Sequence, residues 1–427
     1  MRSPVNASLP TERKRWPAVA ALGSAQTLAW ASSYYLPAML AGPMARDTGV
    51  SMPTVFAAFS VALVVSALVG PWAGRSIDRH GGRPVLMGTN LVFALGLAAL
   101  GLAQGPVSLF AAWALLGLAM GSGLYEAAFA ALVRLYGAQA RDPITGITLI
   151  AGFASTLGWP LSALLETQLG WRGACFTWAA LHLLLGLPLN ALLPAAARPP
   201  APPRDGASVP TAPAEAVPVP ATPRPALTAA LLAYVFAATM FVSTAMATHL
   251  PQLLQAAGTT LAVAVAAGAL IGPAQVAGRV LEFGLLRRVH PLLSARLAAL
   301  AHPAGAALLL AGAAPMAMVF AVLHGLGNGI MTIAKGTLPL ALFGHHGYGV
   351  RQGWLALPAR VTQAAAPFVF GLALQRWGAG ALWLSGALGL SAGAALWLLP
   401  RERPAARRVS APPAPVRSPP PAPDRQA

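Results

Sequence analysis

Charge is scarce in this sequence. Among 427 residues there are 28 Lys and Arg and 11 Asp and Glu, 9% of the chain, against about 25% in ordinary soluble domains. A soluble fold needs a wetted surface, and this chain has too little polar material to cover one. Cysteine is almost missing as well. Cys175 stands alone, which excludes an intramolecular disulfide and leaves packing inside an apolar segment as its expected role. There is no Gly-Lys-Ser/Thr phosphate loop, so ATP is not the expected energy source. No His/Asp/Ser cluster has spacing usable for catalysis, and Glu126 has no second carboxylate on its own segment. His249, His324, His345 and His346 show no metal-ligand spacing. The chain therefore reads as a non-enzyme without cofactor or metal.

What the chain has in abundance is apolar sequence: 56% of residues are hydrophobic. Long apolar segments lie at 16–40, 53–75, 84–104, 107–135, 143–169 and 172–193, and again at 227–250, 260–286, 292–313, 315–342, 353–375 and 379–399. A bilayer core needs about 20 apolar residues per helical crossing, and each segment meets that length. In lipid such segments must be helices, because no water is present to satisfy open backbone groups. Period-two polarity, the mark of a membrane barrel, is not visible. Arg13-Lys14-Arg15 before the first apolar run resembles the start of a signal peptide, but the run is too long for a cleaved core and reads as an uncleaved first span.

The expected organisation is a cytoplasmic tail at 1–15, a first six-helix bundle at 16–193 and a Pro/Ala-rich cytoplasmic linker at 194–226. A second bundle follows at 227–399, then a disordered cytoplasmic tail at 400–427. The net charge is +17, yet the basic residues are scattered between apolar runs and not gathered with aromatics, which argues against nucleic acid. They behave as topology signals. With the amino terminus inside, the outward connectors hold only Arg46, Arg172 and Arg376, and most other basic residues fall on the inner side. Both termini and the linker are thus expected in the cytoplasm, the chain spanning a bacterial-like inner membrane as a monomer.

The two sets of spans also repeat. Gly74, Arg75, Asp78, Arg83 and Val85 stand at one constant offset from Gly278, Arg279, Glu282, Arg287 and Val289, at the inner end of the second span of each set. Parallel six-span repeats are a transporter plan with the substrate site between the halves near mid-membrane.

The stretch "GRSIDRHGGRP" at 74–84 resembles the loop signature between the second and third spans of the major facilitator superfamily. Gly74, Asp78, Arg79, Gly81 and Arg83 match, with Gly82 where a basic residue is often found. The resemblance implies an all-α membrane protein of twelve transmembrane helices in two pseudo-repeated six-helix bundles. It also implies secondary transport by alternating access, with Asp78 latching the halves in the outward-open state. Read from the residues alone, Asp78 can accept from nearby amides or from Arg79 and Arg134, or the basic residues can simply orient the hairpin. Gly152-x5-Gly158-Trp159-Pro160 loosely resembles the Gly-Pro motif of the family's antiporters. The arginine that many drug–proton antiporters carry before Gly121-Ser-Gly123 is missing, and Gly117 lies near that place.

Ionisable residues inside spans mark functional sites by default, since a charge at the bilayer centre costs about 2.5–3.5 kcal/mol on insertion scales. Glu126, Arg279, Lys335 and Arg360 fall within spans at comparable expected depth. Three cations against one carboxylate favour an anion. Gln275-x-x-x-Arg279 resembles the Asp-x-x-x-Arg of monocarboxylate transporters, where the arginine meets the substrate carboxylate; oxalate–formate exchangers also keep an arginine in this span. Arg279 can equally pair with Glu282, and the repeat aligns it with Arg75, a surface position. Lys335 and Arg360 either meet substrate, pair with Glu126 or reach toward the interface. Glu126 is either a proton carrier or a structural partner. Tyr34 and Tyr35 either anchor the interface or line the cavity. The expected cargo is a small organic anion, moved by proton coupling or exchange. Drug or xenobiotic efflux, or a transporter-like sensor, are the alternatives.

Overall fold

The computed structural model describes residues 12–195, 224–312 and 314–399. Most of the expected linker, all of the expected carboxy-terminal tail and residues 1–11 lie outside them. Among the described residues the regular structure is helical throughout. The first half holds α1 (Glu12–Ala31), α2 (Leu36–Thr48), α3 (Met52–His80), α4 (Gly82–Gly101), α5 (Pro106–Gly123), α6 (Tyr125–Tyr136), α7 (Arg141–Ala151), α8 (Ala154–Leu181) and α9 (Leu187–Ala191). The second half holds α10 (Pro225–Ala256), α11 (Leu261–Gly284), α12 (Pro291–Gly312), α13 (Ala317–Phe343), α14 (Tyr348–Trp377) and α15 (Leu382–Leu398).

These helices form twelve membrane passes. Eight apolar helical runs are long enough to cross a bilayer. The run Pro106–Ala191 folds back at Gly137 and Gly170, and the run Tyr348–Leu398 at Gly378. All three glycines have positive φ (55°, 68° and 54°), a region that side chains with a Cβ rarely enter. The remaining pass is α1 with α2. It is broken because the Ser32 and Ser33 hydroxyls bond back to the Leu28 and Ala29 carbonyls, and Pro37 then restarts a helix without needing an amide partner. The fourth pass breaks at Leu124, whose extended backbone separates α5 from α6. The expected span 143–169 likewise divides into α7 and α8 at Gly152 and Phe153, so three expected continuous spans are each two helices. Side-chain oxygens of Ser51 and Thr260 cap α3 and α11, the second pass of each half.

Each half packs as its own bundle, and the pairings repeat: α3 with α5 in the first half corresponds to α11 with α13 in the second. Two buried apolar clusters fill each half. One cluster of the first half also takes in Leu340 and Tyr348 from the second, so the core is continuous across the halves there. Large apolar side chains such as Leu68, Trp72, Phe368 and Trp383 are exposed, as expected where lipid is the solvent. Across the halves, α3 packs on α14, α6 on α13 and α14, and α7 on α11 and α13. Because α6 and α7 are the parts of their spans next to the Gly74–Arg83 loop, the halves close on the face that carries this loop, here the signature face.

Candidate substrate site and gate

The break at Leu124 places Glu126 in the first turn of α6, where the positive end of the helix dipole favours a carboxylate. From the other half, Arg360 on α14 donates through Nη2 to Glu126 Oε2 at 2.9 Å and through Nη1 to Gln363 Oε1 at 3.1 Å. The Arg360 guanidinium lies 5.9 Å from the ring centre of Trp30, within cation–π range. Arg360 is 3% exposed, while 22% of the Glu126 side chain is open. Lys335 on α13 is close enough to act electrostatically on both members of the pair. Among the described residues it has no carboxylate within ion-pair distance, and its nearest polar contact is Met240 Sδ at 4.0 Å.

Beside these charges the first half contributes an aromatic wall. Trp30 meets Tyr34, Tyr35 and Tyr125 at centroid distances of 5.3, 6.2 and 4.9 Å. Tyr34 and Tyr35 sit at the α1–α2 break, and Tyr35 meets Trp159 at 6.0 Å. Phe59 extends the wall toward Trp113. Gln275 is half-buried on α11, one helical turn before Arg279.

Arg279 departs from both surface-based expectations. It is 6% exposed although its repeat partner Arg75 is exposed. It donates to the Thr148 carbonyl on α7 at 3.1 Å instead of pairing with Glu282. Room for the guanidinium exists because residue 152 is glycine: a Cβ there would collide with Arg279 Nη1. Arg279 also acts electrostatically on Tyr35 and Tyr125. Glu282 is taken by Arg141, the first residue of α7, at 2.9 Å. Arg141 donates as well to the Val289 and Leu286 carbonyls, at 2.8 and 3.1 Å.

Asp78 bonds across the halves. Its two carboxylate oxygens accept from the Gly349 and Val350 amides, both at 3.0 Å, in the first turn of α14, where unpaired amides and the helix dipole favour an anion. Of the expected donors, amides are the ones it bonds, though from the other half and not from its own turn, and Arg79 and Arg134 are not. A Cβ at Gly74 would fall on the Gly349 carbonyl oxygen, so α3 and α14 touch backbone to backbone. Gly81 turns the chain with φ 86°, and Arg79 and Arg83 are exposed at that turn. In the repeat, Gly278 lets α11 approach the Leu326 carbonyl of α13. The side chain of Arg287 lies outside the described residues.

Sequence reasoning missed Trp30, Tyr125, Thr148 and the Arg141–Glu282 pair. The aromatic wall is spread over several spans with no local pattern, and Thr148 acts through its backbone. Gly152 stood inside a noticed motif, but its partner is on the other half.

A family model described as Major Facilitator Superfamily matches residues 22–312. The chain belongs to the Major Facilitator Superfamily. It is therefore a multi-pass membrane transporter, not an enzyme. Two solved family structures share its fold. The human organic anion transporter MFSD10 (TETRAN) is 18% identical with a TM-score of 0.66, over 91% of this chain and 100% of that one. A variant of the E. coli fucose:proton symporter FucP is 12% identical with a TM-score of 0.69, over 90% and 98%. No curated protein matches by sequence search.

Proposed function

We propose that this superfamily member carries small organic anions, carboxylates with a flat apolar body, by alternating access. The observation that carries the reading is Lys335: a half-buried ammonium that, among the described residues, has no carboxylate within ion-pair distance, beside an Arg360 whose only ion-paired carboxylate among them is the partly open Glu126. Leaving such a cation in a membrane protein is costly, and a bound carboxylate offsets that cost. Substrate would anchor on Lys335 and compete with Glu126 for the Arg360 fork, while its apolar body stacks on the Trp30–Tyr34–Tyr35 wall. Arg279 adds a further positive charge near the tyrosines. MFSD10 is named an organic anion transporter and FucP a fucose:proton symporter, so the fold accommodates both charged and neutral cargo.

The basic residues of the connectors support a cytoplasmic signature face in a bacterial-like inner membrane. With the halves packed together on that face, the conformation is closed toward the inside. Exchange or proton coupling supplies the driving force, and the monomer is the working unit.

The test is counterflow in proteoliposomes with aromatic and aliphatic mono- and dicarboxylates. Exchange of carboxylates, reduced at least tenfold by Lys335→Gln and by Arg360→Gln, is the expected result. The aromatic wall also suits an apolar drug. If neutral or cationic compounds are exchanged and both variants retain that exchange, drug export replaces the anion reading.

A further inference from the structure

Away from the central charges, the second half buries two histidines against each other. His302 on α12 and His324 on α13 meet Nδ1 to Nδ1 at 3.0 Å, and they are 7% and 4% exposed. His302 Nε2 is buried without a partner. The two rings line a cavity of about 30 Å³ together with Thr239, Asn328, Val242 and Met331. A water needs about 10–15 Å³ of such space and two to four polar partners, and the two rings, the Thr239 hydroxyl and the Asn328 amide can supply them.

Two other histidines, His182 buried and His249 half-buried, lack this freedom. His182 is bonded on both ring nitrogens, to Ser32 Oγ and Asn90 Oδ1, each at 2.8 Å. His249 is bonded to Gln252 and to the Pro367 carbonyl. Their rings are fully engaged, whereas the His302–His324 pair keeps an unpartnered nitrogen and lines a mostly apolar cavity whose polar members are Thr239 and Asn328.

We propose that the His302–His324 pair is a proton-binding site that couples this transporter to proton movement. A neutral imidazole has one N–H and one bare nitrogen. The Nδ1–Nδ1 bond therefore needs one ring as the Nδ1–H donor, with a bare Nε2, and the other as acceptor. A proton delivered by water in the cavity adds to that bare Nε2. The donor ring becomes imidazolium, and its Nδ1–H bond to the neutral ring becomes charge-assisted. A second proton would remove the acceptor and break the bond, so the pair takes one.

Two residues of the cavity wall share helices with the neighbours of Lys335. Asn328 and Lys335 lie two turns apart on one face of α13, and Thr239 precedes Met240, whose sulfur touches Lys335 Nζ. Along α15, packed on α12, there is no ionisable side chain. The helices packed on α13 bring Arg279 and Glu282 (α11), Tyr234 and His249 (α10), Tyr348, Arg351, Arg360 and Arg376 (α14), Arg141 and Asp142 (α7), and Tyr125, Glu126, Arg134 and Tyr136 (α6). The helix of His302 also carries Arg296, which donates to the Leu396 carbonyl, and the turn packed on its start carries Arg288; His324 is the neighbour that acts electrostatically on His302. Given the anion reading above, on which the coupling rests, a proton here strengthens the field that holds a carboxylate. Reciprocally, bound carboxylate favours the proton, and the two travel together.

The experiment has two arms, using wild type, His302→Gln and His324→Gln. Histidine-selective 15N NMR of the lipid-reconstituted protein between pH 8 and pH 4.5, without substrate, should show one imidazolium forming in a coupled pair and lost in both variants. Rings that stay neutral throughout overturn the site. In proteoliposomes, the ratio of proton-gradient-driven uptake to counterflow should fall at least tenfold in both variants, and an unchanged ratio overturns the coupling. If wild type exchanges no carboxylate, the anion reading and the coupling built on it fail, and the NMR arm alone decides the proton site.

Discussion

Glu126 of α6 and Arg360 of α14 meet at 2.9 Å from opposite halves of the molecule, so any separation of the halves there must break or replace this ion pair. Removing one member of a buried pair strands the other, at about 3–5 kcal/mol in a sealed interior. Glu126 is partly open, so Arg360→Met should cost somewhat less, about 2–3 kcal/mol. The double change Glu126→Gln with Arg360→Met should recover at least half of that loss. Thermal unfolding in detergent measures both, and strictly additive losses would show that the pair does not act as a unit.

The same contact predicts how substrate is admitted. Glu126→Gln removes the carboxylate that occupies Arg360 while keeping a hydrogen-bonding group in place. Binding of a substrate carboxylate should then tighten by about tenfold, one charge-assisted bond being worth about 1.5–3 kcal/mol. Isothermal titration with a carboxylate found by counterflow checks this, and weaker binding would assign Glu126 to substrate contact.

On the signature face, Asp78 caps α14 through two amides. Asp78→Asn keeps the size and loses the charge, and it leaves only one oxygen to accept. Charge at a helix N-terminus is worth about 0.3–1 kcal/mol when exposed and up to about 2 when partly buried. The closed gate should therefore lose about 1–2 kcal/mol, roughly 5- to 30-fold in population. Cysteine substitutions on the signature face near Tyr348 should react correspondingly faster with a water-soluble maleimide in the Asp78→Asn background. Unchanged labelling would show that the cap does not hold the gate.

The overall architecture was legible because it follows from composition. Apolar runs of spanning length, the repeat from Gly74–Val85 to Gly278–Val289, and the signature loop are local patterns that need no tertiary information. Helix breaks were harder. Ser32-Ser33 and Leu124 sit inside apolar runs, and hydropathy averages over them. Partner choice was least visible. Glu282 lies one turn from Arg279 in sequence, yet Arg141 takes it, because the start of α7 arrives from the other half with the Val289 and Leu286 carbonyls also in reach. Likewise, nothing in the local sequence separates buried Arg279 from exposed Arg75. The difference lies in Gly152, across the interface.

Arg141 and Glu282 form the repeat's counterpart of the Asp78 cap. Each carboxylate ends the second helix of its half and reaches the helix start that faces it, α14 for Asp78 and α7 for Glu282. Arg141→Glu and Glu282→Arg should each open the signature face to labelling. The exchanged pair should restore protection in part, since the Val289 and Leu286 carbonyls still lose their donor. No restoration at all would mean that the ion pair contributes nothing beyond those carbonyl bonds.

Gly152 gives the sharpest test of the interface, because the residue that changes is not the residue that acts. Gly152→Ala introduces one methyl group into the space held by Arg279 Nη1. The clashing atom is the end of a flexible side chain, so the guanidinium swings aside and gives up the Thr148 carbonyl. That removes the bond joining α7 to α11. Gly152→Ala should therefore reproduce the transport loss of Arg279→Gln, at least tenfold, while the charge of Arg279 is intact. Adding Arg279→Gln to Gly152→Ala should cost little more, because the shorter side chain relieves the clash. Counterflow rates for the two single variants and the double variant decide the point. If Gly152→Ala transports normally while Arg279→Gln does not, Arg279 works through its charge alone and its seat on α7 is incidental.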